Sequence, residues 1–217
     1  MKLNSLSAPL KVHCITVGEL QTNCYFIFEE KTKTCIIIDP GAEGERIEKE
    51  IKKKNLNVVG IVNTHGHPDH ISANGYLKKV FSCPIYIHPL DAEMLDELKN
   101  NIVSFLYLGD FEYTPADEFI KDKTLKIENI EFEVIHTPGH TPGSICLVSS
   151  NFVITGDTLF CGSVGRCDLP GGDESKLRES LKKLIKLPGD YTIYPGHGSQ
   201  CTISGEIKHN LFIADIL

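Results

Sequence analysis

The amino-acid sequence predicts an α/β fold, an αββα four-layer sandwich in which two mixed β-sheets pack face to face with helices outside. Three observations predict it. Short apolar segments rich in β-branched and aromatic residues come in two runs, one in each half of the chain. Each run gives way to segments with helical spacing, the alternation expected of layered sheets and helices. No linker, low-complexity tract or fixed-period repeat divides the 217 residues, so residues 1–217 read as a single domain.

In the first half, KVHCITV (11–17), NCYFIFE (23–29) and TCIIID (34–39) read as strands, and Asp39-Pro40-Gly41 then marks a turn. The segment 45–55 places Ile47 and Ile51 four apart among charges, as an amphipathic helix does. VVGIVN (58–63) reads as a buried strand, 70–80 as a helix with Pro68 in its first turn, 84–88 as a strand and 90–100 as a helix. Residues 100–123 show no period and are expected to form a long loop or lid. In the second half, 130–137, 144–150 and 152–157 read as consecutive strands and 158–173 as a glycine-rich irregular segment. A helix over 174–187, a strand over 191–195 and a last helix over 203–216 complete the chain.

Composition narrows the functions open to such a fold. The net charge is −7 and the only arginines are Arg46, Arg166 and Arg178, so a basic face for nucleic acid is not expected. No window approaches 18 apolar residues, which argues against a membrane span, and MKLNSLSAPLKVHC lacks the apolar run of a signal peptide. A soluble cytoplasmic protein is the expectation. Its eight cysteines, at 14, 24, 35, 83, 146, 161, 167 and 201, form no C-x-x-C pair and are expected to be reduced, Cys161 and Cys167 as free thiols near the site.

The chemistry concentrates in NTHGHPDH (63–70), which packs His65, His67, Asp69 and His70 into six residues after a strand. Three other strand ends deliver donors of the same kind: His140 in TPGHTPGS, Asp157 in TGDTLF and His197 in YPGHGS. Strand ends on one side of a sandwich converge on one rim. Seven donors exceed the four that one zinc takes, but suit two ions that share a carboxylate, about 3.5–4 Å apart with a water or hydroxide between them. Imidazole and carboxylate without thiolate suit zinc, iron or manganese. Gly66, Gly139, Gly156 and Gly196 flank the donors where backbone has to turn tightly. His13, His88, His136 and His209 fit no such slot and are expected to be structural or on the surface, with His136 open as a partner to a ligand.

THGHPDH (64–70), TPGHTPGS (137–144), GDTLF (156–160) and PGHG (195–198) together resemble the metallo-β-lactamase-fold hydrolases, in order and in spacing, across most of the chain. GDTLFCGSVGRCDLPGGD (156–173) resembles the loop of the glyoxalase II-like branch, and the short bacterial hydrolases of that branch are the nearest likeness. The resemblance implies one metal on His65, His67 and His140, a second on Asp69, His70 and His197, and Asp157 bridging them. It implies two divalent ions, zinc first and iron or manganese as alternatives. A hydroxide between them would attack the carbonyl of a thioester, an S-2-hydroxyacylglutathione or a related molecule, with Asp69 orienting the nucleophile or passing a proton. Arg166 stands where the branch carries a basic residue that contacts glutathione, which suits a substrate carboxylate. The helical C-terminal domain of classical glyoxalase II has no counterpart after His197, and Cys167 and Asp168 replace the aromatics usual beside the basic position, so the thiol carrier stays open.

The leading alternative is a persulfide dioxygenase with a single iron on His65, His140 and Asp157. Its loop usually reads G-C-G-R-T, where this chain has GSVGRC. A lactonase or other esterase of the same fold shares the hydroxide chemistry. An RNA-processing nuclease would carry an added RNA-binding arm, and an electron-transfer diiron protein a flavin domain and usually a glutamate at the place of His67. The expected partner is therefore a small-molecule thioester, with no nucleic acid, no membrane and the oligomeric state left open.

Overall fold

The central strands of each sheet grow from segments whose apolar residues run on without alternation, because both faces are covered there, while strands toward the edges alternate. The structure, a computed structural model, describes residues 9–95 and 113–217. The first sheet contains β1 (Leu10–Val17), β2 (Thr22–Glu29), β3 (Thr34–Ile38), β4 (Asn57–Val62), β5 (Ile85–Ile87) and β6 (Glu118–Phe119), in that spatial order. The first three strands pair antiparallel and the last four parallel, so the sheet is mixed. Among the described residues, three α-helices belong to this half: α1 (Gly44–Lys53), α2 (Pro68–Ile71) and α3 (Asn74–Phe81).

The second sheet contains β7 (Thr124–Ile127), β8 (Ile130–His136), β9 (Ile145–Val148) and β10 (Phe152–Gly156). A small hairpin follows, β11 (Leu159–Phe160) with β12 (Ser163–Val164). After α4 (Glu174–Leu184) come β13 (Thr192–Pro195), β14 (Cys201–Thr202), α5 (Ile203–His209) and α6 (Leu211–Ala214). The spatial order is β14-β13-β10-β9-β8-β7, and only β10 and β13 run parallel.

Three apolar layers bind these elements into four. Ile27, Ile36 and Ile38 of the first sheet meet Phe132, Leu147 and Ile154 of the second in the central layer. On the outer face of the first sheet, Phe26 and Ile37 meet Ile47 and Ile51 of α1 and Leu77 of α3. On the outer face of the second, Val153 and Ile193 meet Leu177, Leu181 and Leu184 of α4. The predicted αββα sandwich is the observed architecture.

Several elements differ from the sequence reading, each for a local reason. The helix expected over 70–80 is two, α2 and α3, because the Ala73 N–H leaves the helical ladder for the Pro40 carbonyl at 2.9 Å. The helix expected over 203–216 breaks at Asn210, whose extended backbone (ψ 114) ends α5 while its side chain caps α6 by accepting the Phe212 N–H. The helix expected over 90–100 is a 3₁₀ segment, Pro89–Leu95, and its remainder lies outside the described residues. Residues 100–112 of the expected lid also lie outside them, while 113–123 include β6. The short strands β6, β7, β11, β12 and β14 escaped the sequence reading, since two to four residues show no period.

The cysteine expectation needs one correction. Cys161 is not a free thiol: it forms a disulfide with Cys201, joining the β11–β12 turn to β14. The two lie 40 residues apart in sequence, but the fold brings their Cα atoms to 5.8 Å, within disulfide range. Cys167 is free, as are the buried Cys24, Cys35, Cys83 and Cys146.

Candidate metal centre

The site is assembled by strands that stop at one rim. β4 ends at Val62 and the chain turns through Asn63–His67 into α2, whose start at Pro68 fixes the direction of Asp69 and His70. His140 lies in the turn between β8 and β9, Asp157 follows β10 and His197 follows β13. The parallel pairing of β10 with β13 places Asp157 and His197 side by side, and the Gly196 N–H donates to the Gly156 carbonyl at 2.8 Å. Only glycine fits at 196, where a Cβ would run into the Asp157 carboxylate and the His70 ring.

All seven predicted donors meet, in two groups. Donor atoms of His65, His67 and His140 lie within 4.8 Å of one another, as do those of Asp69, His70 and His197. Asp157 faces both groups: its Oδ2 is 3.6 Å from His140 Nε2 and 3.5 Å from His197 Nε2, and its Oδ1 is 3.4 Å from His70 Nε2. Asp69 Oδ2 lies 3.2 Å from His197 Nε2 and 3.5 Å from His70 Nε2.

The rings are aimed by contacts on their far nitrogens. His140 Nδ1 donates to the Arg166 carbonyl at 2.8 Å, His197 Nδ1 to the Leu20 carbonyl at 3.0 Å and His70 Nδ1 to Asp39 Oδ2 at 3.0 Å. Each contact makes Nδ1 the outward donor and turns Nε2, the nitrogen that ligation uses, toward the centre. His65 Nδ1 donates to the Thr64 hydroxyl at 3.2 Å, which in turn donates to Asp39 Oδ2 at 2.6 Å. Asp39 therefore steadies a ring in each group. A second buried carboxylate, Asp91, joins the two ligand loops by accepting from Gly66 N, Thr141 Oγ1 and Gly143 N at 3.1, 2.6 and 2.6 Å.

The sequence reading missed both aspartates. Asp39 ends a strand as Asp157 does, so the strand-end criterion that selected the seven donors also selects it; reading Asp39-Pro40-Gly41 only as a turn hid it. Asp91 sits in a 3₁₀ segment with no motif around it and gave no signal. His136 is no partner to a ligand ring. Its Nε2 donates to the Pro142 carbonyl at 2.9 Å, and its ring stacks on His88 at 4.3 Å.

Electrostatics separates the two groups. Burial, then the neighbouring histidines, holds His65 well below the usual imidazole range. Burial and His140 bring His67 down to about 3. Burial also opposes charge on His70, but Asp69, Asp157 and Asp39 outweigh it and raise His70 to about 9. The same contest raises His197 to about 10, through Asp157 and Asp69. Burial pulls Asp157 upward, yet His70, His197 and His140 bring it down to about 2.

A divalent cation fits this donor set. His65 Nε2, His67 Nε2, His140 Nε2 and Asp157 Oδ1 are buried and have no hydrogen-bond partner, although buried polar atoms are nearly always paired. Three inward lone pairs and a carboxylate oxygen are what such an ion satisfies.

Arg166 is placed differently. Its guanidinium is exposed and bound to Asp168 through two hydrogen bonds of 2.7 Å, beside a cavity of about 560 Å³ that none of the seven donors lines. Only its backbone carbonyl joins the centre, through His140.

Comparison with known proteins agrees with the geometry. Residues 17–197 match the family model described as the metallo-beta-lactamase superfamily. The chain belongs to the metallo-beta-lactamase superfamily. A superfamily relative in Haemophilus influenzae, named hydroxyacylglutathione hydrolase GloC, is 35% identical, the match covering 94% of this chain and 98% of that protein. Among solved superfamily structures, BLEG-1, titled a B3 metallo-beta-lactamase, superposes with a TM-score of 0.89 at 35% identity, covering 94% of this chain and 99% of that one. TTHA1623 in a di-iron-bound form gives 0.83 at 33%, covering 93% and 100%. ETHE1 from Myxococcus xanthus gives 0.78 at 27%, covering 94% and 85%. The protein is thus a metallo-hydrolase of this fold with His and Asp sites for divalent metal ions. Among the described residues, no helix is long and apolar enough to cross a membrane.

Proposed function

We propose that the protein is a dinuclear, cytoplasmic metallohydrolase that cleaves a small-molecule thioester, in the manner of glyoxalase II. The observation that carries this reading is the pair of donor groups facing one carboxylate, Asp157, with four buried donor atoms unpartnered. His65, His67 and His140 would hold one ion, Asp69, His70 and His197 the second, and Asp157 would lie between. Zinc suits this set first, with iron or manganese as alternatives. When bound, the ions supply Lewis acidity to a carbonyl oxygen and bring the pKa of water toward neutrality.

The chain's own residues do the rest. Asp39 and the carbonyls of Leu20 and Arg166 keep Nε2 of four rings turned inward. Asp69 stands at the edge of the centre, where its carboxylate can orient the nucleophile or accept its proton. A thiolate leaves readily, so no strong general acid is needed. Arg166 can take a substrate carboxylate once it releases Asp168. The acidic composition of the chain supports neither nucleic acid nor an anionic membrane as partner.

The test is turnover of S-D-lactoylglutathione, followed as loss of thioester absorbance, on protein reconstituted with zinc, iron or manganese against a chelated control. Metal-dependent turnover is expected. Fully loaded protein without turnover sinks the reading. A lactone and a β-lactam belong in the same panel, since both offer a carbonyl to the same chemistry.

A second reading, the mononuclear iron persulfide dioxygenase, rests on a specific observation. His65, His140 and Asp157 each carry a buried unpartnered atom. Oxygen consumption on glutathione persulfide by iron-loaded protein separates the two.

Metal uptake has a predictable pH dependence. In the metal-free protein, against burial, the carboxylates of Asp69 and Asp157 raise His70 to about 9 and His197 to about 10, so this pair of rings, 3.3 Å apart at Nε2, favours holding protons at pH 7. Binding an ion at their Nε2 atoms has to displace those protons. The expected result is release of up to two protons on loading that group at pH 7, read as buffer-dependent heat in calorimetry. Affinity therefore strengthens as pH rises. Heat independent of the buffer would refute this.

A further inference from the structure

We infer that Thr22, the first residue of β2, is a positioning residue that sets whether the second ion is held. The inference rests on the dinuclear reading and deepens it by naming what governs nuclearity.

Thr22 is 1% exposed, and its hydroxyl donates to Asp69 Oδ2 at 3.1 Å. That oxygen is the one approached by His197 and His70. Two residues earlier, the Leu20 carbonyl accepts His197 Nδ1–H. One short turn thus steers two of the three donors of the second group, while the third, His70, is steered by Asp39. Among the described residues, the hydrogen bonds of this turn toward the centre go to Asp69 and to the His197 loop, not to His65, His67 or His140.

The turn is built to hold its shape. Gln21 N donates to the Gly18 carbonyl at 3.2 Å, and Gly18 N donates to Glu43 Oε1 at 2.8 Å, which ties the turn to the start of α1. Next to Thr22, Asn23 grips the His197 loop: its N–H donates to the Gly196 carbonyl, and its side-chain amide to the carbonyls of Pro195 and Gly198 at 3.0 and 2.8 Å. The His197 loop therefore keeps its anchor when the Thr22 hydroxyl is removed, and what is lost is the orientation of Asp69. Such orienting partners of a ligand are worth about 10–100-fold in metal affinity.

The experiment compares wild type, Thr22→Val and Thr22→Ser by metal content after reconstitution with zinc and by chelator competition. Valine keeps the shape of threonine and removes the hydroxyl; serine keeps the hydroxyl. Wild type is expected to hold two equivalents. Thr22→Val should keep the first with unchanged affinity and bind the second about 10–100-fold more weakly, while Thr22→Ser restores both. Circular dichroism melting checks that the variants are folded. Two ions held by Thr22→Val with wild-type affinity would overturn the inference. So would loss of both ions in the valine and serine variants alike, which would make Thr22 a structural residue. A wild-type protein that takes up a single ion would instead overturn the dinuclear reading, and the inference with it.

Discussion

Asp157→Ala is expected to fold, to lose bound metal and to retain less than about one-thousandth of wild-type hydrolysis, because the Lewis acidity that the ions would supply goes with them. Asp157 faces both donor groups, its carboxylate within 3.6 Å of rings in each. The sheets should survive the change. Asp157 follows β10 rather than belonging to it, and the central layer of Ile36, Ile38, Leu147 and Ile154 does not include it. Without the carboxylate, His197 loses the largest of the attractions that raise it, and His70 loses one of three. The metal-free variant should therefore titrate these histidines at lower pH, visible by NMR. His67→Ala makes a contrast, since it removes a neutral ring from the first group only. Full activity in metal-depleted Asp157→Ala would refute the mechanism.

The sequence made the donors legible and left their supports dark, for a physical reason. A candidate ligand is a histidine or carboxylate close after a strand, and His65, His67, Asp69, His70, His140, Asp157 and His197 declare themselves by type and place. The supports act through atoms that every residue owns. The Leu20 and Arg166 carbonyls orient two rings, and no side chain announces a carbonyl. Asp91 ties Gly66 to Gly143 across 25 and 52 residues of sequence, a separation that only the fold closes. The same holds for Cys161 and Cys201. The fold class was legible because strand segments come in two runs, each followed by helical spacing; the breaks at Ser72–Ala73 and at Asn210 were not, because Pro40 and Asn210 itself impose them through hydrogen bonds rather than composition. Arg166 illustrates the converse. Its charge drew attention to the side chain, whereas the contact that reaches the centre is its backbone carbonyl.

Asp39→Ala is expected to cause the largest loss of stability among single changes at the site and to weaken both metal positions together. Asp39 is 1% exposed and accepts three donors: Thr64 N at 2.8 Å, the Thr64 hydroxyl at 2.6 Å and His70 Nδ1 at 3.0 Å. Alanine leaves these donors buried with no acceptor, at about 1–3 kcal/mol for each that finds no new partner. The backbone adds to this. Asp39 has φ 51, in the left-handed region that aspartate and asparagine tolerate better than alanine. A total on the order of 3–5 kcal/mol follows, which lowers the melting midpoint of a domain this size by roughly 10 °C. Asp39→Asn keeps the backbone preference and one oxygen acceptor, so it should fall between alanine and wild type. The metal effect separates this residue from an ordinary buried aspartate. Asp39 steers His70 directly and His65 through Thr64, one ring in each group, so chelator competition should show both equivalents weakened. Thr22→Val, by contrast, is expected to touch only the second. An Asp39→Ala protein that melts within roughly two degrees of wild type and holds two ions would mean that Thr64 and His70 find other partners, and that the ligand rings are fixed by packing alone.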